Sequence, residues 1–295
     1  MKSEKFCGIF PALLTPFDKD NKINEKALEK LIELNIKKNV KGFYVCGSTA
    51  EVFLLTPDER KYLMKLVKEI VGNRCTLISH VGAISTDEAI INAEYSEELG
   101  YDAVSAVAPY YYKFTFNEIK KYYFDIVNSV NLPMIIYNFP NFSGVNLTVE
   151  NFSEFLTDPR FIGVKHTSND YYGLERVVST FPDKVVYNGF DEMFLAGISM
   201  GADGGIGSTY NFMAEKFIKI QQYVGEGKIA EAQKIQKEVN VVIQALIKVG
   251  VMQGEKAVLD AMGFGFGDAR APFAKPSNET LNEMLNTVMP LIEKV

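Results

Sequence analysis

Short apolar runs rich in Val, Ile and Tyr recur along the chain, and each is followed by a stretch whose apolar residues return every three or four positions. The runs predict buried strands and the stretches predict amphipathic helices, so their alternation predicts repeated βα units around a parallel sheet. The candidate strands are Cys7 to Thr15, Gly42 to Gly47, Cys75 to Gly82, Asp102 to Pro109, Pro133 to Phe139, Phe161 to Thr167, Lys184 to Gly189 and Asp203 to Ser208. Evenly spaced units of this number predict an α/β fold closed as a (β/α)8 TIM barrel. An open doubly wound sheet would carry a glycine fingerprint in its first turn, and Thr15-Pro16-Phe17-Asp18 has none. Helix starts are marked by Thr56-Pro57-Asp58-Glu59, with an N-cap and a proline at N1, and by the capping-box pattern Ser85-Thr86-Asp87-Glu88.

Beyond the eighth unit the helical period continues over Ile229 to Lys248, Gln253 to Met262 and Glu279 to Glu293, separated by Gly250 and by the glycine-rich Gly263 to Gly267. These predict a C-terminal three-helix extension, residues 226–295, packed with a barrel of residues 1–225 that carries the active site. Pro290 blurs the end of the last helix.

A chain of 295 residues with 47% hydrophobic and 23% charged residues suits one large barrel and excludes a disordered or fibrous class. The net charge of −6 argues against nucleic acid, whose binding draws on a basic surface. No apolar stretch reads as a membrane span, and Met1-Lys2-Ser3-Glu4-Lys5 leads into the first strand without the apolar core of a signal peptide. Cys7, Cys46 and Cys75 all fall inside predicted strands, giving no disulfide framework, and read as buried thiols in a reducing cytoplasm.

Barrel enzymes place their chemistry where strands end at the C-terminal face, so the polar residues closing each apolar run are the candidates. In Ile162-Gly163-Val164-Lys165-His166-Thr167 a lysine interrupts a strand that should be buried. If Gly163, Lys165 and Thr167 share the inward face, desolvation leaves part of the amine neutral and able to form an imine. The other reading is a lysine that snorkels out to a salt bridge. In Met134-Ile135-Ile136-Tyr137-Asn138 the same alternation turns Tyr137 inward on the neighbouring strand, either to relay a proton or simply to pack. Cys46-Gly47-Ser48-Thr49-Ala50-Glu51 is a small-residue turn offering amides and two hydroxyls, suited to a carboxylate unless it is a plain turn; it lacks the lysine of a nucleotide loop. In Tyr187-Asn188-Gly189-Phe190-Asp191-Glu192 two carboxylates could hold sugar hydroxyls, or Asp191 could be an N-cap and Glu192 a first-turn acid. Gly201 to Thr209 has the glycines of a phosphate cradle, but the nearest downstream base is Lys216, so Ser208 is assigned to a substrate hydroxyl instead. The histidines, His80 and His166, end different strands with no partner at ligand spacing, and no metal is expected.

Taken together, Gly47-Ser48-Thr49-Ala50-Glu51, Tyr137-Asn138-Phe139-Pro140, Gly163-Val164-Lys165-His166-Thr167-Ser168 and Tyr187-Asn188-Gly189-Phe190-Asp191-Glu192 resemble the pyruvate-dependent class I aldolases, the family that also contains dihydrodipicolinate synthase. The resemblance runs over essentially the whole chain and is closest to the branch that cleaves sialic acid. It implies retro-aldol cleavage of N-acetylneuraminate to N-acetylmannosamine and pyruvate, with no cofactor. By the same resemblance Lys165 forms the Schiff base and Tyr137 moves the C4 hydroxyl proton. Ser48 and Thr49 hold the carboxylate, with Ser48 also among the catalytic residues. Thr167, Gly189, Asp191, Glu192 and Ser208 hold the hydroxylated tail. Tyr111, in Pro109-Tyr110-Tyr111-Tyr112, resembles a tyrosine lent to a neighbouring subunit, which implies an oligomer, in this family usually a homotetramer.

Two comparisons refine this expectation. Ala50 stands where the family commonly has glycine, which puts carboxylate affinity in question. The arginine that clamps a second carboxylate in dihydrodipicolinate synthases is missing from Asn141-Phe142-Ser143-Gly144. A sister aldolase acting on a 2-keto-3-deoxy sugar acid, disfavoured by Asp191-Glu192, and a silent sugar-acid-binding barrel, disfavoured by Lys165 with Tyr137, are the alternatives.

Overall fold

Val, Ile, Phe and Ala dominate the apolar runs, and side chains that alternate across an extended chain must find cover on both faces of a parallel sheet. The computed structural model, which describes residues 2–292, meets that demand by curling the sheet on itself. Its strands are β1 Gly8–Pro11, β2 Gly42–Val45, β3 Thr76–His80, β4 Ala103–Val107, β5 Met134–Asn138, β6 Phe161–His166, β7 Val185–Asn188 and β8 Gly204–Gly207. All pair in parallel in the order β1-β8-β7-β6-β5-β4-β3-β2. A parallel bridge between Ala12 and Tyr44, with Leu13 N–H donating to the Tyr44 carbonyl at 3.0 Å, closes the ring, so the fold is the expected (β/α)8 barrel.

The helices are α1 Glu25–Lys37, α2 Pro57–Val71, α3 Thr86–Glu98, α4 Phe116–Ser129, the single turn α5 Pro140–Ser143, α6 Val149–Leu156, α7 Tyr171–Thr180, α8 Phe194–Ser199, α9 Tyr210–Gly225, α10 Ile229–Val249, α11 Val251–Ala261 and α12 Asn278–Ile292. The Thr56 capping box forms completely, with Pro57 at N1. At α3 only half of the expected box forms: Ser85 accepts from the Glu88 amide, while the Glu88 carboxylate approaches Arg60 at 3.9 Å. The expected end of the last helix at Glu293 lies outside the described residues.

Two apolar layers follow from the alternation. Phe43, Val45, Val104, Ile136 and Val164 face the helices, and Phe10, Tyr44, Ile78, Ile135, Tyr137, Tyr187 and Ile206 fill the barrel interior. Strand ladders end earlier than the apolar runs predict, because residues at the rim leave the sheet to shape the loops. Cys46, at φ 59°, turns out of β2 in the left-handed region. The cysteines correct the reading in another way: each lies just outside a strand, and only Cys46 is buried, while Cys7 and Cys75 are half-buried free thiols. Among the described residues no helix is long and apolar enough to cross a membrane.

Beyond Gly225 the chain folds back on the barrel. Gln236 on α10 donates to the Asp191 carbonyl at 3.1 Å and accepts from the Leu195 amide at 2.9 Å. Lys256 on α11 pairs with Glu51, and Arg270 in the following loop donates its amide to Glu51 at 2.7 Å and its guanidinium to Glu59 at 2.7 Å. These contacts reach the loops at the C-terminal rim of β2 and β7.

Candidate active site

Register places Tyr137 on β5, Lys165 on β6 and Tyr187 on β7 side by side, and period two turns all three inward. Tyr187 closes the floor, its hydroxyl donating to the Phe6 carbonyl at 2.5 Å. Above it the Lys165 ammonium nitrogen lies 3.9 Å from the Tyr137 ring centre and 4.4 Å from that of Tyr44. The lysine is only 5% exposed and, among the described residues, forms no salt bridge. Burial drives its pKa from 10.5 down to about 7, against an opposing pull from the Asp191 charge. Near neutral pH a substantial share of this amine is therefore unprotonated, which an ordinary lysine does not offer.

Tyr137 is buried too, and burial raises its phenol above the ordinary range, while the nearby Ser48 and Thr167 hydroxyls act in the opposite direction. Such a phenol stays protonated, so it suits a relay that receives one proton as it gives another, rather than a standing base. Ser48, Thr49 and Ala50 form one 3-10 turn after β2, between left-handed residues Cys46 and Glu51. Ala50 is not in the left-handed region; Glu51 beside it is, at φ 55°. A glycine is accordingly not required at position 50. Thr15 fixes the turn from below, donating to the Ala50 carbonyl at 2.8 Å.

At the other side of the mouth, the buried Thr167 hydroxyl, near the Tyr137 phenol, meets no hydrogen-bond partner at bonding geometry among the described residues, and a Cβ at Gly189 would fall 1.9 Å from it. Asp191 is buried and is no cap of its own helix: its carboxylate accepts from the Thr209 amide at 2.9 Å and the Thr209 hydroxyl at 2.6 Å. Gly207 leaves it room, since a Cβ there would come within 1.8 Å of the Asp191 carboxylate. Burial raises the Asp191 carboxyl from 3.8 to about 6, moderated by the Thr209 hydrogen bonds. Glu192 is half-exposed at the rim. Ser208, directly after β8, donates to Glu255 on α11 at 2.5 Å. Lys216 points elsewhere, to Glu238 at 2.7 Å, so the glycine-rich segment gains no cation from it.

Lys165, Tyr137, Ser48 and Thr167 are thus brought together, with Thr49, Gly189, Asp191, Glu192 and Ser208 on the surrounding loops. Tyr111 is not. It lies on the loop after β4 at φ 78°, is 84% exposed, and stacks edge-on with Tyr112 at 5.0 Å. Both histidines are spoken for. The His80 ring nitrogens lie 3.0 Å from the Cys46 carbonyl and 3.3 Å from the Val107 amide, and those of His166 lie 3.2 Å from Asn138 Nδ2 and 3.0 Å from the Asp170 carbonyl. Among the described residues no three His, Cys, Asp or Glu side chains gather as a metal-binding group.

Tyr44, Glu255 and Lys256 also border the cleft, beyond the residues singled out from the sequence. Tyr44 was legible, as the inward residue of Gly42-Phe43-Tyr44-Val45. Glu255 also left a trace, since it interrupts the apolar stripe Val251, Val258, Leu259 at helical spacing.

The dihydrodipicolinate synthetase family model matches residues 5–290. The N-acetylneuraminate lyase of Rhizobium meliloti (strain 1021) is 42% identical over 98% of this chain and 96% of its own length. Among solved structures, CdNal of Clostridium difficile in complex with mannosamine superposes with a TM-score of 0.94 at 40% identity, covering 97% of this chain and 99% of that one. The N-acetylneuraminate lyase of Fusobacterium nucleatum complexed with pyruvate does so with a TM-score of 0.94 at 38% identity and 98% coverage of each chain.

Proposed function

Because the chain belongs to the dihydrodipicolinate synthetase family and shares 42% identity with an N-acetylneuraminate lyase over nearly its full length, we propose that it cleaves N-acetylneuraminate to N-acetyl-D-mannosamine and pyruvate, reversibly, as a class I carbon-carbon lyase. The observation that carries the chemistry is Lys165: a buried amine between two tyrosine rings, without a counter-ion at hydrogen-bond distance among the described residues, with its pKa lowered by burial to about 7.

The neutral Lys165 amine adds to the C2 ketone of the open-chain sugar acid, and loss of water with uptake of one proton leaves an iminium. Ser48, Thr49 and the amides of their turn hold the substrate carboxylate close to the Tyr137 phenol. As the C3–C4 bond breaks, its electron pair passes into the iminium to give an enamine. The C4 hydroxyl proton goes to Tyr137, which hands its own to the carboxylate, a relay that the raised phenol pKa favours over a free phenolate. N-Acetylmannosamine departs as the aldehyde. Protonation of the enamine at C3 and addition of water then release pyruvate and the free lysine. Thr167, Gly189, Asp191, Glu192 and Ser208 are assigned to the hydroxylated tail. Residues 1–225 carry the chemistry on this reading, and residues 226–295 support it.

The 84% exposure of Tyr111, an aromatic residue held in the left-handed region, supports its assignment to the mouth of a neighbouring subunit in a homotetramer. The three free thiols fit a reducing compartment, and the cytoplasm is assigned on that ground. The test is pyruvate release from N-acetylneuraminate by the purified protein with a chelator present, coupled to lactate dehydrogenase. Steady release supports the assignment. Absence of release while pyruvate is still trapped on the protein by borohydride would keep the imine and move the substrate to a shorter sugar acid.

A further inference from the structure

Glu255 and Lys256 are neighbours on α11 and are almost completely buried, at 0% and 1% exposure. Charged residues are rarely buried so fully, and apolar side chains would anchor a helix on a barrel at lower cost. Each reaches a different end of the candidate cleft. The Glu255 carboxyl accepts from the Ser208 hydroxyl at 2.5 Å, at the head of β8. The Lys256 ammonium pairs with the carboxylate of Glu51, the residue whose amide closes the Ser48–Ala50 turn at the head of β2, and that carboxylate also accepts from the Arg270 amide at 2.7 Å. Phe17 backs this second contact, 4.2 Å from both the Lys256 ammonium and the Arg270 guanidinium.

We propose that α11 tunes both ends of the substrate cleft, with Glu255 acting through Ser208 to set how the polyol tail is held and Lys256 acting through Glu51 to position the carboxylate-binding turn. Both are positioning residues, and the inference rests on the sialic acid reading above. The Ser208 hydroxyl has a single proton and spends it on Glu255. It therefore turns lone pairs to the cleft and accepts from a substrate hydroxyl, a preference lost if the hydroxyl can rotate freely. The other Glu255 oxygen, Oε2, is buried without a partner among the described residues. Burial raises the Glu255 carboxyl to about 8, opposed by the Ser208 bond and reinforced by the Asp191 charge. The side chain is then largely neutral near pH 7; with its proton on Oε2, Oε1 remains the acceptor for the Ser208 hydroxyl and no second anion stands beside Asp191.

Pyruvate reaches only the carboxylate end, and the sugar acid reaches both, so the two contacts separate experimentally. The measurements are the KM for N-acetylneuraminate and the pyruvate concentration that half-saturates borohydride trapping on Lys165. Glu255→Leu is expected to raise the first about tenfold, the loss of one buried hydrogen bond, and to leave the second within about twofold. Glu255→Gln, which keeps an accepting oxygen, should restore the KM to within about threefold of wild type. Lys256→Met should raise both values together. If it does not fold because Glu51 is left as an unpaired buried charge, Glu51→Gln/Lys256→Met replaces it. If Glu255→Leu does not fold, Ser208→Ala breaks the same bond from the other side and should give the same split. A Glu255→Leu enzyme in which both values move equally, or neither moves, overturns the inference while leaving the lyase reading intact. A wild-type protein that neither releases nor traps pyruvate removes both.

Discussion

Lys165→Met tests whether the lysine is held at a thermodynamic cost for the sake of its chemistry. Methionine matches its length and can lie between the Tyr44 and Tyr137 rings without a charge. Burial moves the amine from 10.5 to about 7, a displacement worth roughly 4–5 kcal/mol as a ceiling on the cost to the folded state. The sign follows from proton counting. The unfolded chain keeps the proton up to about 10.5 and the folded protein releases it above about 7, so within that window the unfolded state binds more protons and wild-type stability rises with pH. Below the window the cost is fully present. Lys165→Met should accordingly be more stable than wild type at about pH 7, by roughly 2–4 kcal/mol once the lost ring contacts are allowed for. The excess should shrink as pH rises towards 10. Urea unfolding of both proteins in parallel at about pH 7 and about pH 9.5 measures it, and borohydride trapping of pyruvate should vanish in the variant. A variant less stable than wild type at both values, or a difference that ignores pH, would refute the claim that desolvation activates the lysine.

Other outcomes follow from the same geometry. Tyr137→Phe keeps the ring beside Lys165 and removes the proton relay, so turnover should fall by roughly 10²–10⁴ while pyruvate trapping persists; equal loss of both would show a packing role instead. Asp191→Asn removes the charge that holds the Lys165 pKa up, so the rise of trapping rate with pH should move to lower pH, and a shift to higher pH would contradict the coupling. Arg270→Met breaks the bonds to Glu59 and to the Asn21 carbonyl at 2.8 Å, and thermal or urea unfolding should show a loss of roughly 2–4 kcal/mol, accompanied by weaker pyruvate saturation.

The barrel was legible because its signal is local. Period two fixed which face Lys165, Thr167 and Tyr137 take, and one register of adjacent strands brought the lysine and tyrosine together. The predicted strand ends overran the ladders by one to four residues, because composition does not reveal where a backbone turns left-handed, as at Cys46, or leaves the sheet to form a turn, as at Ser48. The support of the site was less legible. Glu255 meets Ser208 across 47 residues and Arg270 meets Glu51 across 219, and no local spacing encodes such partners. Asp191 shows the same limit: a plausible N-cap by position, it instead clasps Thr209, which stands between β8 and α9.

Carbon-carbon cleavage on this mechanism proceeds through a covalent imine on one lysine among the basic residues of the chain. The most direct measurement is to let the protein turn over N-acetylneuraminate, quench with borohydride, and map the adduct by peptide mass spectrometry while free pyruvate is assayed in the same sample. Pyruvate release together with a single reduced adduct on the peptide bearing Lys165 is the expected result. Release without an adduct, or an adduct on another lysine, would contradict the mechanism.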